Sequence, residues 1–136
     1  MSVSVVLQKH ILEELIIHNE TLDQKHAPLP LNPEIRFQVF PQKDKSPIAT
    51  ELSIEIGNMD DGSPLYLKLR VRGLFVIVSG NAEETKLDAR EFHRQALVML
   101  FNVVRTLIAG TTLMGGMTPL NLPPVNPDNA NMKKNG

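Results

Sequence analysis

Apolar and polar residues alternate in three clear stretches of this chain. From Glu34 to Phe40, Ile35, Phe37 and Val39 take one face of an extended segment, and Arg36, Gln38 and Phe40 take the other. Thr50 to Ile56 repeats the pattern, with Leu52, Ile54 and Ile56 opposite Glu51, Ser53 and Glu55. Leu65, Leu67, Leu69 and Val71 then alternate with Tyr66, Lys68, Arg70 and Arg72. A period of two predicts half-buried strands. Asn58-Met59-Asp60-Asp61-Gly62-Ser63, between the second and third stretches, is turn sequence and predicts an antiparallel hairpin. Gly73 breaks the alternation, as expected of a bulge or bend. Leu74 to Val78 is continuously apolar, like a strand covered on both faces.

The first segment, Val3 to His18, fits two periods. Val3, Val5, Leu7, Ile11, Leu15 and Ile17 alternate with polar residues as a strand would, while Leu7, Ile11, Leu12, Leu15 and Ile16 also fit a helix. Pattern alone leaves both open. Asn19 to Pro33, with Pro28, Pro30 and Pro33, reads as an extended crossing loop. Near the other end, Phe92, Ala96, Met99, Leu100, Val103, Leu107 and Ile108 predict a long amphipathic helix, with Arg94, Gln95, Asn102, Arg105 and Thr106 mostly opposite. Asn81 with Glu84 can cap a helix upstream. Gly110, Gly115 and Gly116 offer places to end it. Leu120-Asn121-Leu122-Pro123-Pro124-Val125-Asn126 follows as a proline-locked extended segment that should pack on something.

Strands first and a helix last predict an α+β fold with an antiparallel sheet. The 136 residues suit one domain over residues 1–126. The asparagine-rich tail 127–136 is expected to fray. Aromatic content of 4% implies an aliphatic core. A net charge of -1 argues against a nucleic-acid binder, and the lack of cysteine excludes disulfides and thiolate chemistry. The N-terminus lacks a basic start and long apolar run, and Asn102, Arg105 and Gly110 interrupt the apolar run from Leu97 to Leu113. A cytoplasmic protein without membrane insertion is expected.

Candidate chemistry is sparse. No P-loop, GxGxxG, GxSxG or HExxH pattern occurs. Asp60 and Asp61 before Gly62 suit a turn better than acid/base work. His10 and His18 would stand about 26 Å apart along a strand, too far to share a metal ion. No catalytic residue, metal site or cofactor is expected.

Four motifs, in order, resemble the SecB-type protein-export chaperones. Leu120 to Asn126 is similar to the loop after that family's long helix, and Leu100-Phe101 with Arg105 resembles the signature of the helix itself. Asn32-Pro33-Glu34-Ile35-Arg36-Phe37 resembles the start of its second strand, and Gly73-Leu74-Phe75 its fourth. The likeness spans roughly Val5 to Asn126. It implies a four-stranded antiparallel sheet with one long helix packed on it, a strand over Val3 to His18, and a homo-oligomer, either a dimer or a dimer of dimers. It further implies an ATP-independent holdase for unfolded or preprotein chains, with Leu29, Leu31, Phe37, Leu120, Leu122 and Val125 as candidates for its client-binding groove. Glu14 matches an acidic position used to dock the SecA translocation motor, but the fourth-strand acidic partner is Lys68 here, which puts that docking in doubt. Family members are usually acidic, and this chain is near neutral. The competing expectation is a scaffold of the same fold, or a chaperone for a dedicated partner such as an antitoxin. Exposure of Leu120, Leu122 and Phe37 would favour the holdase; burial within the protomer would favour the scaffold.

Overall fold

The computed structural model describes residues 3–19, 33–42, 46–57, 65–79, 88–116 and 120–125. Four strands, β1 (Val3–Asn19), β2 (Glu34–Val39), β3 (Ile48–Ile56) and β4 (Leu65–Ser79), precede one helix, α1 (Ala89–Met114). The strands form one antiparallel sheet in the order β1-β4-β3-β2, so the architecture is α+β, as expected. β3 and β4 pair from Ile56↔Leu67 to Ile48↔Phe75, the antiparallel arrangement foreseen for the hairpin. Its turn, the crossing loop with Leu29 and Leu31, the Asn81–Glu84 cap and the tail lie outside the described residues.

β3 alternates without exception, Ile48, Thr50, Leu52, Ile54 and Ile56 being buried beneath α1 and the residues between them half-buried. Leu67, Leu69, Val71 and Phe75 of β4 complete the floor of the core. Burying each such side chain contributes about 1.5–3 kcal/mol.

β1 is a strand, but not the simple alternation of the sequence reading. Its register against β4 shifts between Leu7 and Lys9 and again between Leu12 and Glu14. Each shift is a bulge, two residues opposing one, and reverses which face the following residues take. Val5, Leu7, Leu15 and Ile17 therefore lie opposite core-facing residues of β4, whereas Ile11, expected with them, pairs with Arg72 on the outer face. Leu12 takes its place opposite Val71. Gly73, expected to be the bulge, is regular in the β3–β4 ladder. Its role is clearance: a Cβ there would stand 3.0 Å from Leu100 Cδ1 and 3.1 Å from both Phe75 Cε2 and Thr50 Oγ1. The Thr50 hydroxyl, fully buried, donates to Gly73 O at 3.0 Å.

α1 starts at Asp88, whose Oδ1 accepts from the Arg90 amide. Its buried row runs Phe92, Ala96, Leu100, Val104, Ile108, Thr112, flanked by Leu97 and Phe101. Four-residue steps overshoot a full turn by about 40°, so the row winds around the helix as it crosses the sheet. Met99 and Leu107, expected on the same apolar face, are partly buried against the core. By length and composition α1 is long and apolar enough to cross a membrane, which is weak evidence by itself, and only a third of its most apolar window is buried in the protomer. That leaves apolar helix surface beyond what the sheet covers. Gly110 does not end the helix, which runs on to Met114 and closes with Gly116 at φ 84°. A Cβ on Gly110 would meet nothing within 4 Å. Gly110→Ala is therefore expected to raise stability by about 0.8–1 kcal/mol in chemical denaturation; a loss of stability would show that the glycine serves the fold.

Candidate functional site

Leu120 to Val125 runs back along the C-terminal half of α1, tied by two side chains. Arg105 Nε donates to Leu122 O at 2.8 Å, and the Leu120 amide donates to Thr112 Oγ1 at 2.9 Å. Thr112 is itself buried and donates to Ile108 O at 2.8 Å, so its one hydroxyl serves both helix and segment. Between these ties Leu122 enters the core, 2% exposed, while Asn121, Pro123 and Pro124 remain exposed. Leu120 and Val125 are half-buried against the core.

Phe37 is also internal, 1% exposed, its ring edge-on to His93 at a centroid distance of 5.0 Å. Of the groove candidates, Phe37 and Leu122 are thus core residues of the protomer, and Leu120 and Val125 are partly accessible. Leu29 and Leu31 lie outside the described residues. As placed here, Phe37 and Leu122 offer no surface to a client. Among the described residues the large apolar side chains most exposed lie elsewhere: Val6, Ile11, Leu12, Leu15 and Ile16 on β1, Val78 on β4, and Leu113 and Met114 at the end of α1. The β1 group occupies both faces of an edge strand.

Glu14 is held within its own sheet. Its carboxylate lies 3.5 Å from Lys68 Nζ and 3.9 Å from Arg70 Nη1. Glu13, the residue added by the second bulge, lies 3.6 Å from Arg70 and 3.5 Å from Arg72. Arg72 also approaches Glu51 at 3.8 Å and covers the Phe40 ring at 5.3 Å. Nearby, the Tyr66 hydroxyl donates to Glu55. The outer sheet face is therefore a lattice of cations on β4 between acids on β1 and β3. Among the described residues no group of three or more His, Cys, Asp or Glu side chains is arranged to hold a metal ion. His10 is exposed on β1 opposite Gly73.

The arrangement of sheet and helix has a counterpart among solved structures. The Mycobacterium tuberculosis Rv1957 SecB-like chaperone, in complex with a ChAD peptide from the Rv1956 HigA1 antitoxin, superposes with a TM-score of 0.61 at 12% identity, over 89% of this chain and 90% of that one. The fold is SecB-like. A Streptococcus agalactiae protein of unknown function also aligns, with a TM-score of 0.48 at 13% identity, over 90% of this chain and 99% of that one. No family model and no curated protein sequence matches the chain. On this SecB-like frame, the ties made by Arg105 and Thr112 were not legible beforehand. The hints were Arg105, singled out by the resemblance, and a threonine continuing an apolar row at four-residue spacing.

Proposed function

We propose that the protein is an ATP-independent, chaperone-type polypeptide binder of the cytoplasm, holding unfolded clients by equilibrium binding with no catalytic step. The observation that carries this is the edge strand β1. It is 17 residues long, stands at the edge of the sheet among the described residues, and exposes Val6, Ile11, Leu12, Leu15 and Ile16. An extended client offers unpaired backbone and apolar side chains, and an apolar strand edge accepts both without reading sequence. The same surface, with the uncovered part of α1, suits a second copy of the chain, and a homo-oligomer is part of the proposal. The SecB-like fold and the peptide-bound state of the mycobacterial chaperone agree with this reading. It does not extend to the SecA motor, because Glu14 is engaged by Lys68 and Arg70 rather than presented as an acidic patch.

Burial of Phe37 and Leu122 favours a second reading, an interaction or scaffold protein, or a chaperone for one dedicated partner, that has the fold without a general client groove. Aggregation of several unrelated, chemically denatured clients, followed by light scattering without nucleotide, separates the two. Protection at near-stoichiometric ratios is expected, with loss in Ile11→Asp/Ile16→Asp, whose sites on β1 are 40% and 39% exposed and tolerate charge. Protection of none of the clients would end the general holdase reading in favour of the dedicated-partner or scaffold role.

A further inference from the structure

The first bulge of β1 decides which residue stands in the strand's apolar row. Val5, Leu7, Leu12, Leu15 and Ile17 lie opposite core-side residues of β4, and so does His10, opposite Gly73. Unbroken alternation from Val5 would put Lys9 in that row. The shift between Leu7 and Lys9 instead places Lys9 on the outer face, opposite Leu74, and brings His10 in. From Val5 to Ile17, His10 is thus the one ionisable side chain in the row, and it is exposed. No charge faces it from the neighbouring elements. Gly73 has no side chain, its neighbours on that face are Val71 and Phe75, and its partner on β3 is Thr50. The helix meets Gly73 at Leu100, and residues 96–104 include no ionisable side chain. Beyond that stretch, His93 packs on Phe37 of β2, at the far edge of the sheet, and Arg105 is tied to Leu122 O. Glu13 and Glu14 pair with the cations of β4 across the outer face.

A strand laid along this edge changes the surroundings of His10. Side chains directly opposite one another on paired strands stand about 4.5–5.5 Å apart at Cβ. An apolar client chain on β1 therefore closes the row around the imidazole, with Leu7 and Leu12 along the strand and client side chains beside it. A neutral imidazole tolerates that enclosure, whereas an imidazolium loses water and gains no carboxylate in return. Histidine is the side chain whose charge ordinarily changes between pH 5 and 8. A lysine in the same place would stay charged across that range and could not switch. We infer that His10 makes uptake of extended polypeptide along β1 proton-sensitive: the edge takes a client while His10 is neutral and releases it when His10 is protonated. The inference rests on the polypeptide-binding reading and adds how that binding is regulated. The occupied edge holds fewer protons than the free one, so affinity falls as pH falls.

Fluorescence anisotropy on the full chain tests it, at pH 7.5 and 5.5 and constant ionic strength. The probe is an end-capped, rhodamine-labelled apolar peptide without Asp, Glu or His, so that only the protein titrates. The wild type is expected to bind about tenfold more weakly at pH 5.5 than at pH 7.5, the factor for one histidine titrating between them. His10→Gln is neutral throughout and should bind at both pH values as the wild type does at pH 7.5. His18→Gln, changed on the outer face opposite Tyr66, should keep the wild-type fall. Equal wild-type affinity at the two pH values, or a fall that persists in His10→Gln, overturns the inference; if the wild type still suppresses client aggregation, the holdase reading stands without it. Unchanged peptide affinity with a drop in mass by light scattering at pH 5.5, absent from His10→Gln, assigns His10 to a joint between copies and overturns it as well. A wild type that binds no peptide also overturns it, and if that protein protects no client, the polypeptide-binding reading falls too.

Discussion

Gly73→Val is expected to destabilise the protomer by about 3 kcal/mol, at the upper end for overpacking a filled core. The added Cβ would meet Leu100, Phe75 and Thr50 at 3.0–3.1 Å from three directions, and all three are fully buried. Two further methyl groups then have no space to enter. Gly73→Ala should be far milder, because relieving the conformational cost of a strand glycine offsets about 0.5–1 kcal/mol of the crowding. The diagnostic measurement is a double-mutant cycle by chemical denaturation with Leu100→Ala, which removes the nearest atom, Cδ1. The double variant should be more stable than the sum of the two single losses by at least about 1 kcal/mol. Additive losses would mean that Gly73 is needed for something other than the approach of α1.

Leu122→Asp is expected to cost about 2–4 kcal/mol, through release of the segment 120–125 rather than collapse of the sheet. Removing a buried leucine side chain forfeits its transfer energy, and a carboxylate in its place would be buried without a partner. The segment can avoid that penalty by leaving the helix. The Leu120 amide, bonded to the Thr112 hydroxyl, should then lose its protection from hydrogen exchange while the β3–β4 ladder keeps its own. Unchanged protection at Leu120 would show that Arg105 and Thr112 hold the segment without the leucine. Either way, a charge at residue 122 probes the protomer's core, so client binding is better tested at the exposed Ile11 and Ile16 of β1.

Much of the fold was legible because strand alternation is a local signal. β2, β3 and the first part of β4 each kept one register, so the faces read from spacing are the faces observed. β1 was ambiguous for an identifiable reason: two bulges move Ile11 to one face and Leu12 to the other, which blurs period two toward the helical period. The candidate site was less legible. That Phe37 and Leu122 are apolar says they will be covered, but not whether their own core or a partner covers them. The Arg105–Leu122 hydrogen bond joins residues 17 apart, and no local pattern encodes it. Gly110 reads from sequence as a place for the helix to end, and the continuation to Met114 corrects that.

Among the described residues, the two edges of the sheet are unlike. β1 presents about 55 Å of edge with apolar side chains on both faces. β2 has six residues, and its exposed face carries the Glu34–Arg36 ion pair at 2.7 Å. In the vocabulary of polymer chemistry β1 is the reactive end of the sheet and β2 a poorly reactive one. Edge-to-edge joining through β1 would consume that end of both participants, so growth through β1 alone would close at a pair. On the proposed function, the one long apolar edge would take up extended polypeptide or a copy of itself without templating a longer sheet.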